Sequence, residues 1–488
     1  MPALPDGLAR RLRERLGPER FLEDAASRLA YESDALAHFR VLPLAICLPR
    51  DTEDCVAIVR AAVEAGIPIT PRGAGTGLSG GATPAREGSL VVDTSAMRRV
   101  LAIDLVDRYA VVEPGLVNAR LGELVAKDGF FYAPDPSSQM VCTLGGNYAE
   151  NSSGPHSLEY GSTAGHVLGA TVVLDDGSVV ELGGPEGPDE LDLVGAFSGS
   201  EGTLGIVTSL TLRLTPRPTA LATLLASFPS LPRACRAVSA IVAEGIECAA
   251  IEALDRRTIE AVENSVFAAG YPRDAEAVLL VEIDGHPGDV GADHERVREI
   301  FERGGMLAFD SAADPERRKL LWRGRKGAFG AMGRVAPNVY VMDAVVPRSH
   351  LETAIRRIGE ICDRHELTLA NVFHAGEGNL HPNISYDGRD EDEVARVLAA
   401  NAEIVRVCLE LGGTLSGEHG VGLEKREFMD WIFSESDLAT FAAFRAAFAP
   451  SGLFNPDKLL PTPRACAEVK GPGAGIGGVA LGGREERS

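Results

Sequence analysis

Pro71-Arg-Gly-Ala-Gly-Thr-Gly-Leu-Ser-Gly-Gly81 packs five glycines into nine residues, directly after the apolar positions Ile67 and Ile69. Glycine tolerates positive φ and lets backbone N–H groups close on a ligand with no Cβ in the way. Successive N–H groups of such a loop form a concave nest for phosphate oxygens, so the stretch points to a phosphate-bearing cofactor. Gly75-x-Gly77-x-x-Gly80 matches the dinucleotide fingerprint in letters but not in context. That motif opens a helix and meets an acidic residue about twenty positions on. Here Thr83-Pro84 interrupts any helix and Ser89-Leu-Val-Val-Asp93 returns as a strand. The nucleoside-triphosphate loop ends in Lys-Ser or Lys-Thr, and this loop has no lysine. A plain glycine turn would need fewer residues.

The chain around this loop has 488 residues, 45% hydrophobic and 24% charged, enough for two or three domains with sizeable cores. Its net charge of −22 argues against a nucleic-acid partner, whose phosphates would be repelled. A small anionic substrate would need a local cationic clamp for the same reason. No apolar run approaches the length of a membrane span. Leu8, Leu12 and Leu16 space an amphipathic helix where a signal peptide would carry its apolar core. The eight cysteines form no Cys-x-x-Cys pair, which excludes the usual iron–sulfur and zinc-ribbon spacings. Reduced thiols in a cytoplasmic protein are expected.

Residues 43–217 read as one unit. Asp51 is placed to cap a helix carrying Val56, Val59 and Val63 and closed by Gly66. Strands are expected at 89–93 and 109–113, a helix at 117–127, and a hairpin over 171–182 turning at Asp176-Gly177. Leu210–Leu214 is a last strand before Pro216 and Pro218. Beyond it, strands (277–284, 338–346, 367–373) alternate with helical patterns (287–304, 349–365, 391–411), an α+β arrangement with a helix-covered sheet. From 465 on, seven of 24 residues are glycine, which reads as a flexible tail.

The loop is followed in order by Ala133-Pro-Asp-Pro-Ser-Ser138, Leu144-Gly-Gly-Asn147, Glu150-Asn-Ser-Ser-Gly154, Tyr160-Gly161 and Gly199-Ser-Glu-Gly-Thr-Leu-Gly-Ile-Val207. This set resembles the flavin-binding domain of the vanillyl-alcohol oxidase and p-cresol methylhydroxylase (PCMH) flavoprotein family. Phe373-His-Ala-Gly-Glu-Gly-Asn-Leu-His-Pro382, Leu415-Ser-Gly-Glu-His-Gly-Val-Gly422, Leu321-Trp-Arg-Gly-Arg325 and Phe454-Asn-Pro-Asp-Lys458 are similar to its D-2-hydroxy-acid dehydrogenase branch. The resemblance implies an α+β fold. A helical segment (1–42) leads into a PCMH-type FAD-binding domain of two subdomains (43–217). A substrate or cap domain follows (218–462), with a ferredoxin-like sheet and a C-terminal helical segment, and then the tail (463–488). FAD is the implied cofactor. Arg72, Gly73, Ala74, Gly75, Thr76 and Gly77 would cradle its phosphates. Pro134, Ser137, Gly145, Asn147, Asn151, Ser152, Gly154, Glu201 and Ile206 would contact the rest, and Asn455 would reach the flavin edge. Some family members attach the flavin through histidine or cysteine. His156, His166 and Cys142 lie in this region without a clear attachment motif, so non-covalent binding is expected.

Oxidising a 2-hydroxy acid requires holding its carboxylate, removing the hydroxyl proton and delivering the α-hydrogen as hydride to the flavin. Gly376, Gly378 and Pro382 disfavour a helix between His374 and His381, and a folded-back strand and loop would bring both imidazoles together. With Glu418 they make a 2-His-1-carboxylate set suited to a divalent metal, zinc or manganese in the relatives; as ordinary core histidines they would only make hydrogen bonds. A histidine titrates near neutrality, which suits His419 as general base for the hydroxyl proton; a second role as orienter or ligand is the alternative. Arg325 is the candidate carboxylate clamp because guanidinium binds carboxylate in bidentate fashion, with Arg323, Lys326 and Arg348 as competitors. Relatives that oxidise dicarboxylates place a lysine in the strand corresponding to 339–343. This chain has Met342 there, so a monocarboxylate such as glycolate or D-lactate is expected rather than 2-hydroxyglutarate. With no cluster of its own the chain must pass electrons on. The resemblance implies iron–sulfur and second flavin-type subunits, and a peripheral place at the inner membrane face through them. The alternatives are a stand-alone D-lactate dehydrogenase and a non-catalytic electron-relay or assembly flavoprotein.

Overall fold

The computed structural model describes residues 4–461 except 37, 85, 189 and 313. The expected tail and Cys466 lie outside the described residues. The seven described cysteines are all free and buried.

Helix Asp6–Leu16 buries Leu8, Leu12 and Leu16 against helix Thr52–Glu64. Asp51 caps the latter by accepting from the Asp54 N–H at 2.9 Å. These helices cover a four-stranded sheet ordered Phe21–Leu22, Ala45–Cys47, Leu90–Asp93, Ile69–Arg72, parallel apart from its first strand. The glycine stretch leaves the edge strand Ile69–Arg72 and returns in Leu90–Asp93 without opening a helix. A five-stranded antiparallel sheet forms the second subdomain. It contains the expected hairpin, Val167–Val173 with Val179–Gly183, paired to Ile206–Arg213.

The C-terminal half is built on a nine-stranded sheet. Its first four strands in sequence, Ala220–Phe228, Ala250–Asp255, Ala277–Gly285 and Ala308–Ala312, lie in the order fourth, first, third, second, which is ferredoxin-like. Side chains alternate between the faces of a strand, and both faces are covered. Leu224, Ala226, Phe228, Leu279 and Val281 face helices Leu231–Ala243, Pro287–Arg303, Leu351–Arg364 and Glu391–Glu410. Leu225, Leu254, Val278 and Leu280 face helices Arg256–Glu263 and Pro315–Met332. Strands Ala220–Phe228 and Ala250–Asp255 were not expected. Burial on both sides removes the polar alternation that marks a strand, and alanine carries little β preference. The single strand expected at 338–346 is interrupted at Met342-Asp343, giving Asn338–Val341 and Ala344–Val345.

A buried charge cluster joins the two halves. Lys326 donates to Asp135 at 2.8 Å, and His156 lies between Asp135 (2.9 Å) and Glu282 (3.0 Å). Glu282 also accepts from Arg318, Trp322 and Thr223. Arg318, Trp322 and Lys326 share one face of helix Pro315–Met332 at four-residue spacing, so the cluster clips that helix onto the N-terminal half. Burial opposes charge on His156, but Asp135 and Glu282 outweigh it and push the imidazole up to about 10. Burial likewise would raise Glu282, but His156 and Arg318 outweigh it and lower the carboxyl to about 2. The Glu282 contribution is present above the ordinary glutamate value of about 4.3 and lost as pH falls toward its folded value. The His156 contribution is complete below about 6.5 and lost as pH rises through its folded value. Thermal melting across pH should therefore show a plateau at about pH 4.5–6.5 with a decline on either side. His156→Gln should flatten the alkaline limb and also shrink the acid one, because His156 is the leading group that holds Glu282 down; an unchanged alkaline limb would remove this assignment.

Candidate functional site

A cavity of about 470 Å³ runs between the two halves. Its N-terminal wall is the glycine stretch and the segments at 136–153 and 197–207; its C-terminal wall is helix Pro315–Met332, strands Asn338–Val341 and Thr368–His374, and the turn at Glu418-His419. Gly75 has φ +68° with the Arg72 guanidinium tucked beneath it. Arg72 donates from there to the Ser33 and Ala82 carbonyls, bracing the loop from behind while lining the cavity. A Cβ at Gly73 would strike the Thr143 hydroxyl and one at Gly145 would strike Pro114. The wall is therefore bare backbone where a phosphate needs N–H groups. Asn147 and Asn383 line the cavity, and their buried Nδ2 and Oδ1 atoms have no hydrogen-bond partner among the described residues, the pattern of groups reserved for a ligand.

Of the residues expected at the cofactor, Arg72, Gly73, Ala74, Gly75, Thr76, Gly77, Ser137, Gly145, Asn147, Ser152, Glu201 and Ile206 line this cavity. Pro134, Asn151, Gly154 and Asn455 stand behind it. The Pro134 carbonyl accepts from Asn118, the Asn151 side chain accepts from the Ala164 N–H, and Gly154 packs on the Asp135 carbonyl. Asn455 does not reach the cavity: its amide donates to the Gly81 and Glu201 carbonyls, tying two wall segments together. Among the three attachment candidates, His156 has both ring nitrogens engaged in the charge cluster and His166 bonds the Tyr160 carbonyl. Cys142 does line the cavity.

Three histidines converge on Glu418 in the C-terminal wall. His374 Nε2 lies 3.2 Å, His381 Nε2 3.0 Å and His419 Nε2 3.9 Å from Glu418 Oε1. The other Glu418 oxygen accepts from Ser153 at 2.8 Å. His374 reaches this point because Glu252 and His374 are cross-strand partners on one sheet face, and its Nδ1 lies 2.7 Å from Glu252. His381 Nδ1 faces the Met342 carbonyl at 3.2 Å. A carbonyl and a carboxylate accept protons, so Nδ1 carries a hydrogen in each ring, and in a ring's neutral form the Nε2 lone pair would face Glu418. Lone pairs meeting a carboxylate require a cation or added protons between them. His381 Nε2 is accordingly close to Glu418 yet off the line of a hydrogen bond. The donor atoms of His374, His381 and Glu418 lie within 4.8 Å of one another, as do those of Asp343, His381 and His419. The first set fits a divalent ion better. Both Asp343 oxygens already accept N–H groups, and the carboxylate behind His374 is the usual support of a ligating imidazole.

Electrostatics set these groups apart. Burial opposes charge on His374, but Glu252 and Glu418 outweigh it and raise the imidazole well above its usual range. Burial would raise Glu418, yet His374 and His381 hold it well below the carboxylate range. Burial lowers His419 to about 4, against the pull of Asp343, so its ring is neutral at pH 7, and its Nδ1 has no hydrogen-bond partner among the described residues. His419 stacks on His381 at 5.0 Å and 4°.

Arg325 lines the cavity and is 4% exposed; its Nε donates to Glu252 at 2.5 Å. Of its competitors, Lys326 lines the cavity but is paired with Asp135. Arg348 donates to the Gly376 carbonyl and Arg323 to the Ala268 carbonyl, both away from it. Glu252, Asp343, Asn383 and Ser153 were not anticipated.

Residues 43–183 match the family model described as the FAD binding domain, and residues 217–459 match that of the FAD linked oxidases, C-terminal domain. Glycolate oxidase subunit GlcD of Escherichia coli (strain K12) is 42% identical over 96% of this chain and 94% of its own length. The chain belongs to the FAD-linked oxidase family. The mitochondrial D-lactate dehydrogenase [cytochrome] of Arabidopsis thaliana is 31% identical, over 87% of this oxidase and 74% of the relative. The crystal structure of p-cresol methylhydroxylase with substrate bound superposes with a TM-score of 0.75 at 15% identity, covering 93% and 97% of the two chains, so the PCMH-type fold is shared. This FAD-linked oxidase is an oxidoreductase that takes FAD. Among its described residues no helix is long and apolar enough to cross a membrane.

The alternation of strand Asn338–Val341 corrects one expectation. Tyr340 and Met342 enter the helix-covered core, while Val341 lines the cavity. Val341, not Met342, is therefore the residue of 339–343 that lines the cavity.

Proposed function

We propose that this oxidase converts a small 2-hydroxy acid, glycolate first and D-lactate second, to the 2-oxo acid. The observation that carries this is the meeting of His374, His381, Glu418 and His419 beside Arg325 on one wall of the cavity. FAD, bound without a covalent link along the N-terminal wall, supplies the acceptor for the α-hydrogen as hydride. His374, His381 and Glu418 would hold a zinc or manganese ion, which supplies a Lewis acid that acidifies the substrate hydroxyl. Arg325 would orient the substrate carboxylate with the N–H groups that Glu252 leaves unused. Its charge is paired with buried Glu252, so it selects geometry more than it attracts anions. His419, neutral and without a partner at Nδ1 among the described residues, would take the hydroxyl proton. Loss of one proton and one hydride from the CH–OH group balances the oxidation.

The chain's GlcD relative is named as a subunit, which supports a role as the flavin-carrying part of a complex, with iron–sulfur and second flavin-type partners receiving electrons at the inner membrane face. The test of substrate class is anaerobic flavin bleaching by glycolate, D-lactate, L-lactate and D-2-hydroxyglutarate in turn. Rapid bleaching by the first two and not the others is expected; a bound flavin that none reduces would favour the relay reading. Val341→Lys should shift the selectivity ratio toward D-2-hydroxyglutarate by about tenfold or more, the low end for a close charge pair. An unchanged ratio of kcat/KM values would show that Val341 does not face the substrate's far end.

A further inference from the structure

Asp343 sits in the gap between strands Asn338–Val341 and Ala344–Val345, 3% exposed. Its carboxylate accepts the backbone N–H groups of three consecutive residues, Gly417 at 3.0 Å, Glu418 at 3.3 Å and His419 at 3.0 Å. It also accepts the Ser416 hydroxyl at 2.5 Å and the Lys425 ammonium at 3.0 Å. Ser416 Oγ in turn accepts the Gly420 N–H at 2.9 Å. The turn from 416 to 420 is thus wrapped around one carboxylate. We propose that Asp343 is the positioning residue that fixes the directions in which Glu418 and His419 project into the cavity. The inference rests on the roles proposed above for those two side chains.

Glycines flank the pair at 417 and 420, and Gly420 has φ +90°. Glycine has little conformational preference of its own, so the shape of the turn must come from outside it. Three N–H groups aimed at one acceptor define the backbone on both sides of Glu418. Asp343 is the acceptor they share, and its position is set by the two strands it joins. Lys425, buried and also bonded to the Asp343 carbonyl, supplies the charge that lets a carboxylate stay ionised there. A carboxamide cannot replace it, because its NH₂ group would point donors at donors.

The test compares Asp343→Asn and Ser416→Ala with wild type as purified flavoproteins. With Asp343→Asn, flavin content and visible spectrum should be unchanged. The limiting rate of anaerobic flavin reduction by glycolate should fall about a hundredfold, as for a misplaced catalytic group. The glycolate concentration for half-saturation, governed by Arg325, should move by less than about threefold. Affinity for Zn²⁺ alone, titrated against the flavoprotein, should fall about 10- to 100-fold, as for other outer-shell partners of a metal ligand. Ser416→Ala removes one donor to Asp343 and the acceptor of the Gly420 N–H but keeps the three backbone bonds to Asp343, so it should give the same pattern more weakly. Either variant reducing flavin at the wild-type rate with only a lower melting temperature would overturn the proposal. If wild type binds no Zn²⁺ while Asp343→Asn still loses rate, the metal assignment fails and the positioning role stands.

Discussion

His419→Ala is expected to retain FAD and to lose about 10²- to 10⁴-fold in the rate of flavin reduction by glycolate, the range for a general base. The ring lines the cavity wall, mostly withdrawn from solvent, and burial lowers it to about 4, so at neutral pH it is ready to accept a proton rather than give one. It stacks on His381, and its removal leaves the bonds from Asp343 to the backbone of the turn in place, so neither the flavin wall nor the fold should suffer. The check is stopped-flow bleaching of the variant with its flavin content measured in parallel. Loss of flavin on purification would mean that the ring supports the cofactor wall instead. Full-rate bleaching would place the base elsewhere.

Arg325→Met should raise the KM for glycolate by about 30-fold or more, from the 2–5 kcal/mol typical of truncating one member of a buried charge pair. It should also destabilise the protein by about 3–5 kcal/mol, because Glu252 is fully buried and would lose its guanidinium partner. The two effects separate with Glu252→Gln. That variant frees Arg325 from its partner and removes the carboxylate behind His374, so it should lower kcat more than it raises KM. Steady-state kinetics of the three proteins with denaturant melts provide the check. An Arg325→Met enzyme with wild-type KM would remove the clamp.

Parts of the site were legible because their chemistry demands particular residues at short spacing. Gly73, Gly75 and Gly81 are crowded by the Thr143 hydroxyl, the Arg72 guanidinium and the Glu150 carboxylate, which leave little room for a Cβ. The run from His374 to His381 announced a non-helical return, and a strand end, turn and strand are present. Glu252 was illegible for a physical reason. It lies in an alanine-rich strand far from His374 in sequence, and it touches that ring only through antiparallel pairing across the sheet. Asp343 stood at the end of the 339–343 segment, but its role depends on a turn that begins 73 residues later at Ser416. The choice between Met342 and Val341 turned on strand parity. A shift of one residue exchanges core for cavity, and sequence alone does not say which face of that strand looks where. Asn455 was expected at the cofactor because its motif is conspicuous; the structure uses its amide to tie two cofactor-wall segments together from behind.

The most direct test of the account is single-turnover flavin reduction by glycolate under anaerobic conditions, before chelation, after chelation, and after adding back Zn²⁺ or Mn²⁺. The account predicts fast bleaching that chelation suppresses and the metal restores, with FAD bound throughout. Bleaching at the same rate in the chelated enzyme would contradict a metal at His374, His381 and Glu418, and the absence of bleaching in all three states would contradict oxidation of the hydroxy acid itself.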